Sequence, residues 1–275
     1  MIHIVPVSGG KDSQLVLRRI VDAHSTKDVR AVHQYTGFDH SATYAHLDYM
    51  EKRYGVKIEY TTSEKRRDMQ GFLIGAGYFP SSSARGCTKE LKIEPFIKWL
   101  LANDFGHAGR AHVYMGMRSG ESAARGNKYG DVSPLDVFSY ADLSTGASHK
   151  KKGLESIAAS LPIVDLTTEQ VFAELKACGD EVNALYKRGH SRVGCYPCLL
   201  SKREEWELAM QDPEGVKHID LLLDIENKFK RDKNPRKLIK IHESRDVAYL
   251  RANGRFPEHQ RRGLDEAPGC AICDI

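Results

Sequence analysis

No apolar run in this chain approaches the roughly 20 residues needed to cross a bilayer. Its opening stretch, MIHIVPVSGG, lacks the basic and apolar regions of a signal peptide. These two absences exclude an ordinary membrane or secretory role and predict a cytoplasmic location. Cysteine is sparse, at six residues in 275. In a reducing compartment these do not read as a disulfide framework, and the spacings Cys195-x-x-Cys198 and Cys270-x-x-Cys273 suit metal or redox chemistry instead. No internal repeat is visible. Net charge is small, at +4, and by itself excludes no class of partner.

What is present is an ordinary globular composition, 41% hydrophobic and 28% charged, sufficient for one large domain with an appended piece. The charge is unevenly placed. Residues 228–262 hold 12 Lys and Arg against 4 Asp and Glu, so this stretch carries +8 and the remainder −4. Such asymmetry points to a polyanionic partner, with a solvated helix face as the plain alternative.

Short β-rich runs alternate with helical patterns: IHIVPV (2–7) before a helix over 13–23, VRAVHQY (29–35) before one over 41–54, and VKIEYT (56–61) before one near 63–74. HVYMGM (112–117) follows the helix LKIEPFIKWLLAN, which tolerates Pro95 in its first turns. LPIVDL (161–166) precedes a helix capped by Thr167 or Thr168. This rhythm predicts an α/β fold with a doubly wound, mostly parallel five-stranded sheet. Residues 118–160 read as a long surface excursion. From Ser201 the pattern is helical, with breaks at Pro213, Pro235, Gly254 and Pro257. The expected division is an α/β domain over 1–200 and a basic helical extension over 201–275.

The stretch VSGGKDSQLVL (7–17) places a glycine turn between a strand and a helix, which aims backbone amides and a positive helix end at an anion. A Walker A loop would need a hydroxyl residue after Gly10-Lys11 and a glycine at position 5; the chain has Asp12 and Val5. The dinucleotide fingerprint fails as well. Ser8-Gly9-Gly10-Lys11-Asp12-Ser13 instead resembles, at every position, the SGGxDS loop of the PP-loop ATP pyrophosphatases. That resemblance implies ATP cleaved between its α and β phosphates. Gly9 and Gly10 would allow close backbone approach, Ser8 and Ser13 would supply hydroxyls, Lys11 would neutralise charge, and Asp12 would hold Mg²⁺ on the departing pyrophosphate.

Further segments resemble the phosphoadenosine phosphosulfate reductase-like branch of that fold. They are Thr36-Gly37-Phe38 with Thr43-Tyr44; Cys87-Thr88-x-x-Leu91-Lys92-x-x-Pro95; Gly116-x-Arg118-x-x-Glu121-Ser122-x-x-Arg125; and Asn183-x-Leu185-Tyr186 leading to Gly194-Cys195-x-Pro197-Cys198. The resemblance covers residues 3–210, departs from the branch at His40-Ser41-Ala42, and extends to the sulfur-transfer proteins of DNA phosphorothioation. It implies that Lys92, Arg118 and Arg125 bind phosphates, for which arginine is suited by its bidentate fork. Thr36 and Gly37, at the carboxyl edge of the sheet, are expected near adenine. For Asp165, helix capping competes with a site role. Cys178 is expected to be a buried small apolar residue.

The resemblance further implies that Cys87, Cys195 and Cys198 hold a [4Fe–4S] cluster, with Cys273 or Cys270 as fourth ligand or one iron left open. A four-thiolate zinc site is the alternative that spacing alone favours. Cys270 and Cys273 could equally form a mobile thiol pair. The expected function is an adenylating sulfur-transfer enzyme using ATP and Mg²⁺, with Lys11, Asp12, Arg118 and Arg125 at the reaction. Its expected partners are a nucleic-acid acceptor, a sulfur donor such as a cysteine desulfurase, and a second copy of the chain. The alternatives are a phosphoadenylylsulfate or adenylylsulfate reductase, and a nucleotide-sensing or nucleic-acid-binding module. The tail Gly269-Cys270-Ala271-Ile272-Cys273 lacks the Glu and His of the reductases' terminal Glu-Cys-Gly-x-His motif.

Overall fold

The computed structural model describes residues 1–82, 84–105, 109–143, 153–231, 240–241 and 245–257. Five parallel strands, β1 (Ile2–Pro6), β2 (Val29–Gln34), β3 (Ile58–Thr61), β4 (Ala111–Tyr114) and β6 (Ala158–Ser160), form the sheet. A two-residue antiparallel strand, β5 (Phe138–Ser139), closes one edge, giving the order β3-β2-β1-β4-β6-β5. The fifth parallel strand thus lies just before LPIVDL. Residues 161–166 turn instead, with Val164 N donating to Leu161 O and Leu166 N to Ile163 O.

Side chains alternate across the strands, and each face is covered. Val5, Ala31 and Ile58 join α1 (Lys11–Ala23), α2 (Ser41–Tyr54) and α6 (Thr168–Ala177) in one core. Ile4, Val32 and Val113 face the other way, onto α4 (Glu94–Ala102). Both faces of β1 are therefore apolar, as a central parallel strand requires. A third core joins α3 (Met69–Ala76) and the Leu185–Leu199 region to α8 (Arg203–Ala209), α9 (Pro213–Arg231) and α10 (Val247–Asn253). Trp206, Leu222 and Phe229 are buried there with Phe38 and Phe72. Pro213 opens α9, and Gly254, in the left-handed region at φ +72°, ends α10.

Of three expectations about helices and loops, the first and third are corrected and the placement of Pro95 holds. The helix expected near 63–74 starts only at Met69, because Asp68 accepts from Gly71 N and caps it there. The helix after Cys87 opens with a π-helical turn over Thr88–Ile93, and Pro95 sits in the first turn of α4. The excursion at 118–160 is largely built into the fold: α5 (Ala123–Tyr129), Tyr140, Leu154 and Ile157 pack on the second core. Residues 144–152, Pro235, most of the basic stretch between 232 and 262, Cys270 and Cys273 lie outside the described residues. No helix among the described residues is long and apolar enough to cross a membrane.

Candidate functional site: a phosphate turn and a thiol cavity sharing one wall

The glycine turn leaves β1 and enters α1 as the pattern requires. Gly9 has φ +75°, and a Cβ there would stand 2.7 Å from Thr43 Cγ2, so two constraints demand glycine. Gly116, beyond β4, allows a second close approach: its Cβ would lie 3.0 Å from Ser13 N. The hydroxyls of Ser8 and Ser13 lie 3.2 Å apart, and Ser13 Oγ also accepts from Ser8 N at 3.1 Å. Ser8 Oγ accepts from Gly10 N at 3.3 Å.

Asp12 is buried between two cations. Lys11 Nζ donates to its Oδ2 and Arg118 Nε to its Oδ1, each at 2.7 Å. Arg118 is itself anchored by Leu166 O, Thr168 Oγ1 and Glu121, and Glu121 also pairs with Arg125. The capping box of Thr167 and Gln170 fixes the start of α6 and with it Thr168, while Asp165 is exposed and stands outside this network. A cavity of about 310 Å³ opens over these groups. Lys11, Arg118, Arg125, Arg192 and Lys202 line it, against one carboxylate, Glu121, among its described lining residues. An open cavity with this excess of positive charge, set at the amino end of α1, suits a polyphosphate.

The thiols, half-buried, line a second, small cavity of about 20 Å³. Cys87, Cys195 and Cys198 line it together with Thr36 and Lys92. Lys92, expected with the phosphate-binding cations, is therefore brought to the cysteines instead. Thr36 likewise turns toward sulfur: its Oγ1 donates to Asp39 Oδ2 at 2.7 Å and meets Cys195 Sγ at 3.6 Å. Gly37, at φ +62°, makes the turn between them. Burial pushes the Cys87 thiol up to about 11, with Cys198 adding to the shift and Lys92 offsetting part of it. Burial raises Cys195 to about 12, which Lys92 partly offsets. Burial disfavours the Lys92 ammonium, but Cys195, Asp39, Cys198 and Cys87 outweigh it, and its pKa lies above the ordinary value. Cys87 and Cys195 are thus protonated at neutral pH, and Lys92 stands close to them and to the Asp39 side chain.

Neither of the two expected groups fits this cavity at its present size and spacing. A tetrahedral zinc with bonds of about 2.3 Å places its sulfurs roughly 3.8 Å apart. Among the described residues, the only three His, Cys, Asp or Glu donors mutually within 4.8 Å are His40, Asp212 and Glu214. The three thiols are thus spread more widely than mononuclear zinc demands. A cluster accommodates wider thiolates but needs a larger opening than this cavity, which has room for about one water. At the His40 group the cation position is already filled, since Arg188 donates to Asp212 Oδ2 at 2.7 Å. Cys178 proves half-buried, at the carboxyl end of α6.

Several participants carry no site role in the sequence reading. Tyr186 Oη accepts from Lys11 N at 3.0 Å, and Asn183 Nδ2 donates to Gly9 O at 3.1 Å. Glu205 of α8 accepts from Ser191 N and Oγ at 2.7 Å and from His190 at 2.6 Å, which pins the segment carrying Arg192. Asn183 and Tyr186 fall within a motif that carried the resemblance; Glu205 has no sequence signal.

Comparison with known proteins follows this geometry. Residues 2–201 match the phosphoadenosine phosphosulfate reductase domain. An uncharacterized 37.8 kDa protein of Escherichia phage 186 is 28% identical over 79% of this chain and 73% of its own length. Adenosine 5'-phosphosulfate reductase of Burkholderia cepacia is 29% identical over 61% of this chain and 58% of its own. For 5'-adenylylsulfate reductase 1 of Arabidopsis thaliana the figures are 25%, 70% and 38%, so this chain spans little more than a third of that relative. Phosphoadenylyl-sulfate reductase from Candida auris shares the fold, with a TM-score of 0.50, 15% identity, and coverage of 72% of this chain and 83% of that one. With 2–201 matched, the glycine turn and the cysteine pair stand inside one domain, and the chain belongs to the phosphoadenosine phosphosulfate reductase domain family.

Proposed function

We propose that the protein is an AMP-forming ATP pyrophosphatase that adenylates an acceptor and supports sulfur transfer to it, with nucleic acid as the acceptor class. The observation that carries this reading is the shared wall between the two cavities. Ser191, Arg192 and Lys202 line the cationic one, and Cys195 and Cys198, from the same segment, line the other. The reading assigns phosphate chemistry to the cationic cavity and sulfur chemistry to the thiols, both lined from one short stretch of chain.

In this reading the β and γ phosphates of ATP lie on the Ser8–Ser13 turn, with Arg118 and Arg125 facing them. Lys11 moves from Asp12 to phosphate and frees a carboxylate oxygen for Mg²⁺, an ion that is usually bound by one or two carboxylates together with substrate phosphates. An acceptor oxygen attacks the α-phosphorus, the bond to the β-phosphate oxygen breaks, and pyrophosphate leaves. A sulfur nucleophile then attacks the atom bearing the activated oxygen, which departs with AMP. Cys87, Cys195 and Cys198, with Cys273, would hold a [4Fe–4S] cluster only if the cavity between them widens well beyond its room for about one water and the thiol protons leave. A cysteine desulfurase is the class of donor that fits. The Lys228–Arg262 stretch, at +8, favours a nucleic-acid acceptor.

The test is pyrophosphate release from ATP by wild type and Lys11→Ala, in the presence of DNA, tRNA and a sulfide source. Stimulated release that is lost in the variant supports the reading, and no release under any condition sinks it. Anaerobic purification followed by a visible spectrum tests the cluster, and a colourless zinc protein would overturn that part. The names of the plant and Burkholderia relatives favour a second reading, reduction of adenylylsulfate. Sulfite release from adenylylsulfate, without need for ATP, would establish it in place of the first.

A further inference from the structure

Three backbone amides of the phosphate turn end on hydroxyl oxygens. Ser8 N donates to Ser13 Oγ, Gly10 N to Ser8 Oγ, and Lys11 N to Tyr186 Oη. Two of these hydroxyls belong to the turn; the third arrives from 175 residues further along the chain. Tyr186 is held in place from several sides. Its ring stands edge-on to Phe172 with centroids 5.2 Å apart, and Lys11 Nζ lies 5.8 Å from one ring and 5.7 Å from the other. Its short helix, α7 (Ala184–Lys187), begins at Asn183, whose side chain grips Gly9 O. The α7 segment therefore holds the turn at residue 9 through a carbonyl and at residue 11 through an amide.

The Lys11 amide belongs to the first turn of α1, where an N–H has no partner inside the helix and is available to an anion. The tyrosine hydroxyl takes that place here, lying only 3.2 Å from where a Cβ on Gly10 would stand. We propose that Tyr186 is a positioning residue whose hydroxyl stands in for a phosphate oxygen at the Lys11 amide and withdraws when the pyrophosphoryl group binds. The proposal rests on reading the turn as a pyrophosphate site. It means that the anion gains its bond to Lys11 N at the expense of one already made. The resting turn keeps its shape, and the returning hydroxyl competes for the same amide as pyrophosphate departs.

Tyr186→Phe removes one oxygen and keeps the ring that packs on Phe172. Titration calorimetry with inorganic pyrophosphate and Mg²⁺ is expected to show about three- to tenfold tighter binding than wild type, the worth of one released hydrogen bond. A merely structural role would weaken binding or leave it unchanged, and either result overturns the proposal. Hydrogen exchange at the Lys11 amide supplies a second readout. It should be slow in free wild type, fast in free Tyr186→Phe, and slow again in the variant with pyrophosphate. Equal exchange in the two free proteins also overturns it. If wild type binds no pyrophosphate, the reading of the turn itself fails, an outcome distinct from equal affinity in the two proteins.

Discussion

Arg118, just beyond the fourth strand, donates its Nε to Asp12 Oδ1 at 2.7 Å, and both side chains are buried. The bond joins two segments 106 residues apart and sets the carboxylate at the mouth of the phosphate turn. Removing one partner of a buried pair leaves the other charge uncompensated, which typically costs about 3–5 kcal/mol. Lys11 still faces Asp12 in Arg118→Ala, so the expected loss is at the lower end, about 3 kcal/mol, read as a shift in the urea midpoint. Arg118→Lys should recover only part of it, because a lysine lacks the fork that also reaches Leu166 O and Thr168.

Gly116→Ala tests the close approach of β4 to the turn. The new methyl would stand 3.0 Å from Asp12 C and Ser13 N, backbone atoms that cannot swing aside. Overpacking of this kind costs about 1–3 kcal/mol. The variant should melt at a lower temperature and bind pyrophosphate at least about tenfold more weakly. Unchanged affinity would show that the turn tolerates displacement.

Acid should destabilise the protein through two histidines. Burial lowers His46 to about 4, and burial together with His3 and His24 lowers His112 to about 4. Each protonates near 6.5 when unfolded, so the unfolded chain binds more protons below that pH. Stability contributed by keeping these rings neutral is present above pH 6.5 and lost as pH falls toward 4. The buried His46 can account for at most about 3 kcal/mol of this fall. His46→Gln should flatten the loss of denaturant midpoint between pH 7 and 4.5, and an unchanged slope would refute the assignment.

The raised thiols of Cys87 and Cys195, at about 11 and 12, carry little thiolate at neutral pH. In chelator-treated protein, iodoacetamide should label each at least about tenfold more slowly than a free cysteine at pH 7.5. Labelling should accelerate steadily up to pH 10. Reconstitution with iron and sulfide under anaerobic conditions should release protons to the medium, since each thiol must ionise to bind metal.

The parts of the site readable along the chain are those whose function is local. Ser8 to Ser13 announces itself because a turn that exposes amides needs glycines and hydroxyls at consecutive positions. The alternation of β1, α1 and β2 follows from the period of the apolar residues. Placement across the sheet was less accessible. Lys92 read as one more phosphate cation, yet burial beside Cys195 and Asp39 gives it another environment. The short fifth parallel strand escaped because Ala158–Ser160 has no strongly apolar residue to mark it, while the more apolar LPIVDL beside it turns.

The sequence by itself determined the parallel sheet, the glycine turn and the thiols, since each depends on periodicity or on residue types at close spacing. Only the tertiary structure decided that Tyr186 closes the Lys11 amide, that Glu205 pins the Arg192 segment, and that Ser191 and Cys195 line different cavities. The first two relations join residues 175 and 14 positions apart. Contacts at such separation arise from how the packed faces meet, which no local pattern of residues encodes.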